Sequence, residues 1–100
     1  MIALPPGRLM RVKFFATFRQ IAGEKEMDIA IAPGDTVREA LERLFARLPA
    51  LRLQILSEAG AVRPATGILV RGRNVRLDDG LDTRLEDGDD MSLFPPLAGG

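Results

Sequence analysis

The side chains that usually carry out chemistry are scarce in this sequence. It has no His and no Cys. That removes an imidazole acid or base, a thiolate nucleophile, the usual zinc ligands and any disulfide framework. Tyr and Trp are absent as well, and Lys13 and Lys25 are the only lysines. The sequence ends instead on "LFPPLAGG". Pro95 and Pro96 have no N–H with which to extend a β-ladder, and they hold the chain extended. Gly99 and Gly100 have no side chain, so such a tip fits a channel too narrow for any other residue. A glycine carboxylate also has no Cβ to shield its carbon. The expected tool is a C-terminal carboxylate on a slender stem.

The stem must be held by the elements before it. "MRVKFFA" alternates Met10, Val12, Phe14 and Ala16 against Arg11, Lys13 and Phe15, which predicts a strand. "TFRQIAGEKE" reads as a turn or short helical piece ending at Gly23. "EMDIAI" places Met27, Ile29 and Ile31 on one face of a second strand, close enough to the first to make an antiparallel hairpin. Thr36 and Glu39 form a capping box. After them Val37, Ala40, Leu41, Leu44, Phe45 and Leu48 recur at the spacing of one helical face, and Pro49 stops the helix. Arg38–Glu42 and Glu39–Arg43 are expected as i, i+4 ion pairs on the wet side. "ALRLQILSEA" suggests a second short helix and "GAVRPATG" a loop. A strand "GILV", a tight "RGRN" turn, a short strand "VRL", an acidic turn-rich stretch and a last strand "MSLF" complete the pattern. Residues 1–9 read as a loose extension, 10–94 as one domain and 95–100 as a flexible tail. The order predicts an α+β fold, a β-grasp (ubiquitin-like) mixed sheet packed on one main helix.

Bulk composition excludes several classes. Fourteen basic residues balance 14 acidic ones, so the electrostatic footprint of a nucleic-acid binder is missing. No apolar run approaches the ~20 residues of a membrane span, and "MIALPPGRL" lacks the layout of a secretory signal. Both observations point to the cytoplasm. The acidic stretch lacks the EF-hand spacing, so Asp78–Gly80 and Asp87–Gly88 are read as turns. Turn chemistry is the main reading of this stretch; the residual one is that Asp82, Glu86, Asp87, Asp89 and Asp90 attract a basic partner surface. Arg71, Arg73 and Arg76 are read as a solvated hairpin rather than a phosphate site. Phe15 and Phe94 fall on the sheet face opposite the core. Unless segment 50–66 covers them, they form an apolar docking patch beside the tail.

Four stretches, "MRVKFFATFRQIAGEKE", "DTVREALERL", "GILVRGRNV" and "LEDGDDMSLFPPLAGG", make residues 10–100 resemble the MoaD/ThiS family of ubiquitin-like sulfur carriers. The "FPPxxGG" ending looks most like the small subunit of molybdopterin synthase. The resemblance implies that Gly100 is adenylated by an activating enzyme using ATP and magnesium, then converted to a thiocarboxylate with sulfur from a donor protein. It implies that Gly99 gives clearance, and that Pro95, Pro96, Leu97 and Ala98 form the stem inserted into a partner. The large catalytic subunit of molybdopterin synthase would then receive the sulfur. By the same resemblance the chain binds no cofactor or metal itself and meets neither nucleic acid nor membrane. Two further readings share the same tail: a carrier for thiamine, cysteine or tRNA thiolation, and a modifier conjugated to lysines.

Overall fold

A computed structural model describes residues 8–96. In chain order the elements are β1 (Arg8–Phe14), α1 (Thr17–Ala22), β2 (Glu26–Ile31), α2 (Val37–Arg47), α3 (Arg52–Ile55), β3 (Gly67–Val70), β4 (Arg73–Asn74) and β5 (Asp90–Phe94). They build one five-stranded sheet in the order β2-β1-β5-β3-β4. β1 pairs antiparallel with β2 and parallel with β5, and β3 pairs antiparallel with β5. A mixed sheet with its first and last strands side by side and one long helix across it is the β-grasp arrangement.

Period-2 alternation decides which face meets the helix. Met10, Val12 and Phe14 of β1, Ile29 and Ile31 of β2, Ile68 and Val70 of β3, and Met91 and Leu93 of β5 are all buried. Against them α2 sets Val37, Ala40, Leu41, Leu44 and Phe45. Each such large side chain contributes roughly 1.5–3 kcal/mol through burial. The capping box forms as read, with the Thr36 N–H donating to the Glu39 carboxylate at 3.2 Å. Two bonds then tie the start of the helix to the stretch before β5: Val37 N–H to the Thr83 carbonyl at 3.0 Å and Leu85 N–H to the Asp35 carbonyl at 2.9 Å.

Several local expectations are corrected. β1 includes Arg8, opposite Ile31, and Leu9, opposite Ala30, so the strand takes in two residues before Met10. Ala16 is not in the strand; it takes φ 53° and ψ −127° at the head of α1. "VRL" is a 3-10 turn, Val75–Leu77, and the short strand is Arg73–Asn74 alone. The second short helix read in "ALRLQILSEA" is present: a 3-10 turn, Pro49–Leu51, runs into the single turn of α3.

The two i, i+4 ion pairs are replaced by longer-range ones. Arg38 meets Asp82 at 3.5 Å, Glu42 pairs with Arg52, and Arg43 pairs with Asp35. Arg43 also donates to the Ala30 carbonyl at 3.1 Å, and Arg47 to the Asp28 carbonyl at 3.0 Å. These two arginines of α2 thus occupy acceptors on β2, the edge strand, where a free ladder would invite another chain.

Asp35 closes a tight turn after β2. Pro33 and Gly34 (φ 87°) take its centre, as a type II turn requires, and Asp35 N–H donates to the Ala32 carbonyl at 3.0 Å. The Arg43 guanidinium donates to the Asp35 carboxylate and, with the Ala32 N–H at 2.7 Å, holds its pKa below the ordinary 3.8 against the opposing effect of burial.

Leu44→Ala is expected to destabilise the protein by roughly 2–5 kcal/mol in urea titrations, as a core truncation. Arg38→Ala, whose ion pair is exposed, should cost about 0–1 kcal/mol. Similar losses would mean that the helix presents a different face. Because folding lowers the Asp35 pKa, its contribution is full above about 3.8 and disappears as pH falls through the native value. Asp35→Asn should therefore be less stable than wild type at pH 7, and the two stability curves should converge as pH falls through the lowered native pKa. A gap that persists unchanged into acid would assign the effect to something other than the Asp35–Arg43 pair.

Candidate functional site

The parallel pairing of β1 with β5 puts Phe14 opposite Leu93, and the Phe15 N–H continues the ladder by donating to the Leu93 carbonyl at 3.2 Å. Both Phe14 and Leu93 point into the core. Their successors, Phe15 and Phe94, therefore emerge together on the other face. Their rings stack with centroids 4.2 Å apart and planes 11° from parallel, a contact worth about 0.5–1.5 kcal/mol beyond the area it covers. Both residues are only half-buried. The expectation that these two rings share the uncovered face of the sheet is thus met, and segment 50–66 does not close over them.

Neighbouring strands complete a shallow apolar hollow of about 440 Å³. On the β3 side Gly67 lies opposite Phe94. A Cβ there would stand 3.4 Å from the Phe94 Cβ and 3.7 Å from its ring, ordinary contact distances, so Gly67 leaves this wall of the hollow one methyl shallower without being required by the ring. Leu69 continues that wall, Ala65 precedes it, and Ala16 and Thr17 border the hollow beyond Phe15. Pro95 and Pro96 form its exit. Arg19 backs the stack, its guanidinium 5.9 Å from the Phe15 ring centroid and its Nε donating to the Phe14 carbonyl at 3.2 Å.

Among the expected site residues, Phe15, Phe94, Pro95 and Pro96 are therefore brought together. Leu97, Ala98, Gly99 and Gly100 lie outside the described residues. Gly67 and Leu69 were not singled out from the sequence, although the alternation of "GILV" places both on the outer face. Ala16 and Ala65 had no local signal, since they reach the hollow only through the arrangement of strands.

The charged groups tell a different story from the one expected. Asp82 meets Arg38 at 3.5 Å, Asp87 meets Arg8 at 3.5 Å and Asp90 meets Lys13 at 3.2 Å. Glu86 lies 3.7 Å from Arg71, which also pairs with Asp89. Each of the five acids weighed for steering a basic partner thus has a cation of the fold within 4 Å, Glu86 and Asp89 sharing Arg71. The arginines of "RGRNVR" are engaged too: Arg73 with Asp78 at 3.0 Å, and Arg76 with the carbonyls of Arg63 and Thr66 at 2.6 and 3.1 Å. Among the described residues no cluster of acids is placed to hold a metal ion. No helix among them is long and apolar enough to cross a membrane.

Comparison with known proteins places this geometry in context. Residues 12–100 match the ThiS family. The chain is 40% identical over 91 residues to Small archaeal modifier protein 3 of Haloferax volcanii, covering 91% of this chain and 98% of that protein. It is 29% identical over 91 residues to the molybdopterin synthase sulfur carrier subunit of Chlamydomonas reinhardtii, covering 91% and 98% of the two chains. The crystal structure of SAMP1 from Haloferax volcanii superposes with a TM-score of 0.82 at 28% identity, over 92% of this chain and 99% of that one. The fold, the family match along most of the chain and the 40%-identical relative agree: this chain belongs to the ThiS family, within the MoaD/ThiS group of ubiquitin-like sulfur carriers.

Proposed function

We propose that the chain is a sulfur carrier whose Gly100 carboxylate is adenylated, converted to a thiocarboxylate and delivered to a partner's active site by the Pro95–Ala98 stem. The observation that carries this reading is the stacked Phe15–Phe94 pair lying where β5 runs into Pro95 and Pro96. An exposed apolar surface beside a glycine tip is what a donor needs if another protein performs the catalysis. The chemistry divides accordingly. A carboxylate is a resonance-stabilised, poor electrophile; the activating enzyme, with ATP and magnesium, turns it into an acyl adenylate and releases pyrophosphate. A sulfur nucleophile from a donor protein adds to the acyl carbon and AMP leaves. This chain supplies the carbon, its access and the docking surface. The nucleophile and the acid–base groups belong to the partners, in keeping with a sequence without His or Cys.

The destination we propose is the large catalytic subunit of molybdopterin synthase, where the sulfur enters the dithiolene. It is supported by the "FPPLAGG" ending and by similarity to a molybdopterin synthase carrier subunit. A second reading, conjugation to lysines of other proteins, is favoured by the 40%-identical modifier relative. Both start from the same acyl adenylate, which either sulfur or an amine can attack. Intact-mass measurement on protein from its own host separates them. A carrier shows one oxygen replaced by sulfur; a modifier shows high-mass conjugates that disappear on deletion of Gly99–Gly100.

Appending residues after Gly100, or deleting Gly99–Gly100, should abolish ATP–pyrophosphate exchange with the host's adenylating enzyme while leaving Tm unchanged. Deletion shortens the extended stem by ~7 Å, and the buried core ends at Leu93. Exchange at the native rate by either variant would remove the carboxylate from the mechanism. Phe15→Asp and Phe94→Asp should keep the fold and weaken partner binding by about tenfold or more, the behaviour of central apolar anchors. Loss of the folded state, seen by circular dichroism, would return both rings to the core.

A further inference from the structure

Two positions beside the docking face carry a residue type that their backbone disfavours. Nine described residues have positive φ, and six of them are glycines. Each of those six has open space where a Cβ would stand. The three exceptions are Ala16 (φ 53°), Ala65 (φ 66°) and Arg71 (φ 54°). Arg71 has an account in its side chain, which pairs with Asp89 and Glu86. An alanine methyl makes no such bond, and both alanines are exposed, so core packing does not explain them either. At Ala16 the combination of φ 53° with ψ −127° is one that glycine adopts freely and a Cβ opposes.

Both alanines line the hollow of Phe15 and Phe94. Ala16 follows the end of β1, and Ala65 precedes the start of β3. The sheet order places β1 and β3 on either side of β5, so the two alanines border the hollow from opposite sides of that strand. We propose that the Ala16 and Ala65 methyls are contact groups for the adenylating enzyme, held against the backbone's preference because they narrow the hollow around an apolar side chain of that partner. This rests on the docking function given above.

The occupant follows from reach and chemistry. Gly100 is the fourth residue after Pro96, at most ~13–14 Å of chain away. A protein that acts on the Gly100 carboxylate must therefore stand against the Pro95–Pro96 end of this hollow. The walls are carbon-rich, and the nearest cation, Arg19, is already turned toward the Phe14 carbonyl and the Phe15 ring. An apolar side chain suits the space; a charged one has no counterpart there.

Ala16→Gly, Ala65→Gly and the double variant test the proposal, each measured by thermal melting and by calorimetric titration with the host's purified adenylating enzyme. Each substitution should raise Tm by about 2–8 °C, because glycine relieves the strain and only part of the gain is lost to unfolded-state entropy. Each should also weaken binding about fourfold, the worth of one buried methyl, and the double variant by roughly the product. Raised Tm with unchanged affinity overturns the proposal. So does a Tm that stays or falls, since the methyls would then be held at no cost. Phe94→Asp, or Leu69→Arg if the first does not fold, is titrated in parallel. Wild-type affinity there refutes the docking face itself. Lost affinity there, with both glycine variants binding normally, refutes only the role of the methyls.

Discussion

The parallel contact between β1 and β5 is the constraint on which the rest of this molecule depends. The two strands lie at opposite ends of the chain and are adjacent at the centre of the sheet. Their register, Phe14 against Leu93, does three things together. It closes the core, because both side chains are fully buried against α2 and its neighbours. It brings Phe15 and Phe94 out side by side on the opposite face. It also fixes where the chain leaves the sheet, since Pro95 follows at once and can donate nothing to a ladder. A slip of β5 by one residue would turn Phe94 inward, away from Phe15, and carry Met91 and Leu93 out of the core.

Much of this was legible because it is written in period. The inner faces of all four longer strands and the buried stripe of α2 follow from alternation and from the i, i+3, i+4 spacing. The outward placement of Phe15 and Phe94 is the same arithmetic read on the other parity. What escaped lacks a local signature. "VRL" has the composition of a strand, but Asn74 accepts from the Arg76 N–H at 2.9 Å and curls the chain into a 3-10 turn. Arg38, Glu42 and Arg43 sit at spacings that permit neighbouring pairs. They bond instead to Asp82, Arg52 and Asp35, groups whose proximity arises only once the sheet and loops have formed. The acidic stretch likewise looked free in one dimension and is paired in three.

Charge in this fold is spent on holding loops and edges rather than on display. Arg43 joins the turn after β2 to the helix and, with Arg47, occupies carbonyls of the edge strand. Lys13, Arg71 and Arg8 hold the acids around the start of β5. A surface so internally balanced leaves little long-range field with which to choose a partner. The apolar hollow is where short-range fit can act.

That division bears on how a generic tip achieves a specific outcome. Two glycines after a short apolar stem contain almost no recognition information, because there is little for a partner to grip and little to reject. On the proposed chemistry, an acyl adenylate on such a tip would react with whatever nucleophile is brought to it. Selectivity must then come from the proteins allowed to dock within reach of Gly100, and so from the shape of the surface around Pro95 and Pro96. In this chain that surface is built from two stacked rings, the bare backbone of Gly67 beside one of them, and two alanines at positive φ. These side chains lie outside the helix-facing core, so they can change while that core stays intact. One β-grasp scaffold can in this way retain its tail and its chemistry while the walls of the hollow redirect the sulfur or the acyl group to a different recipient.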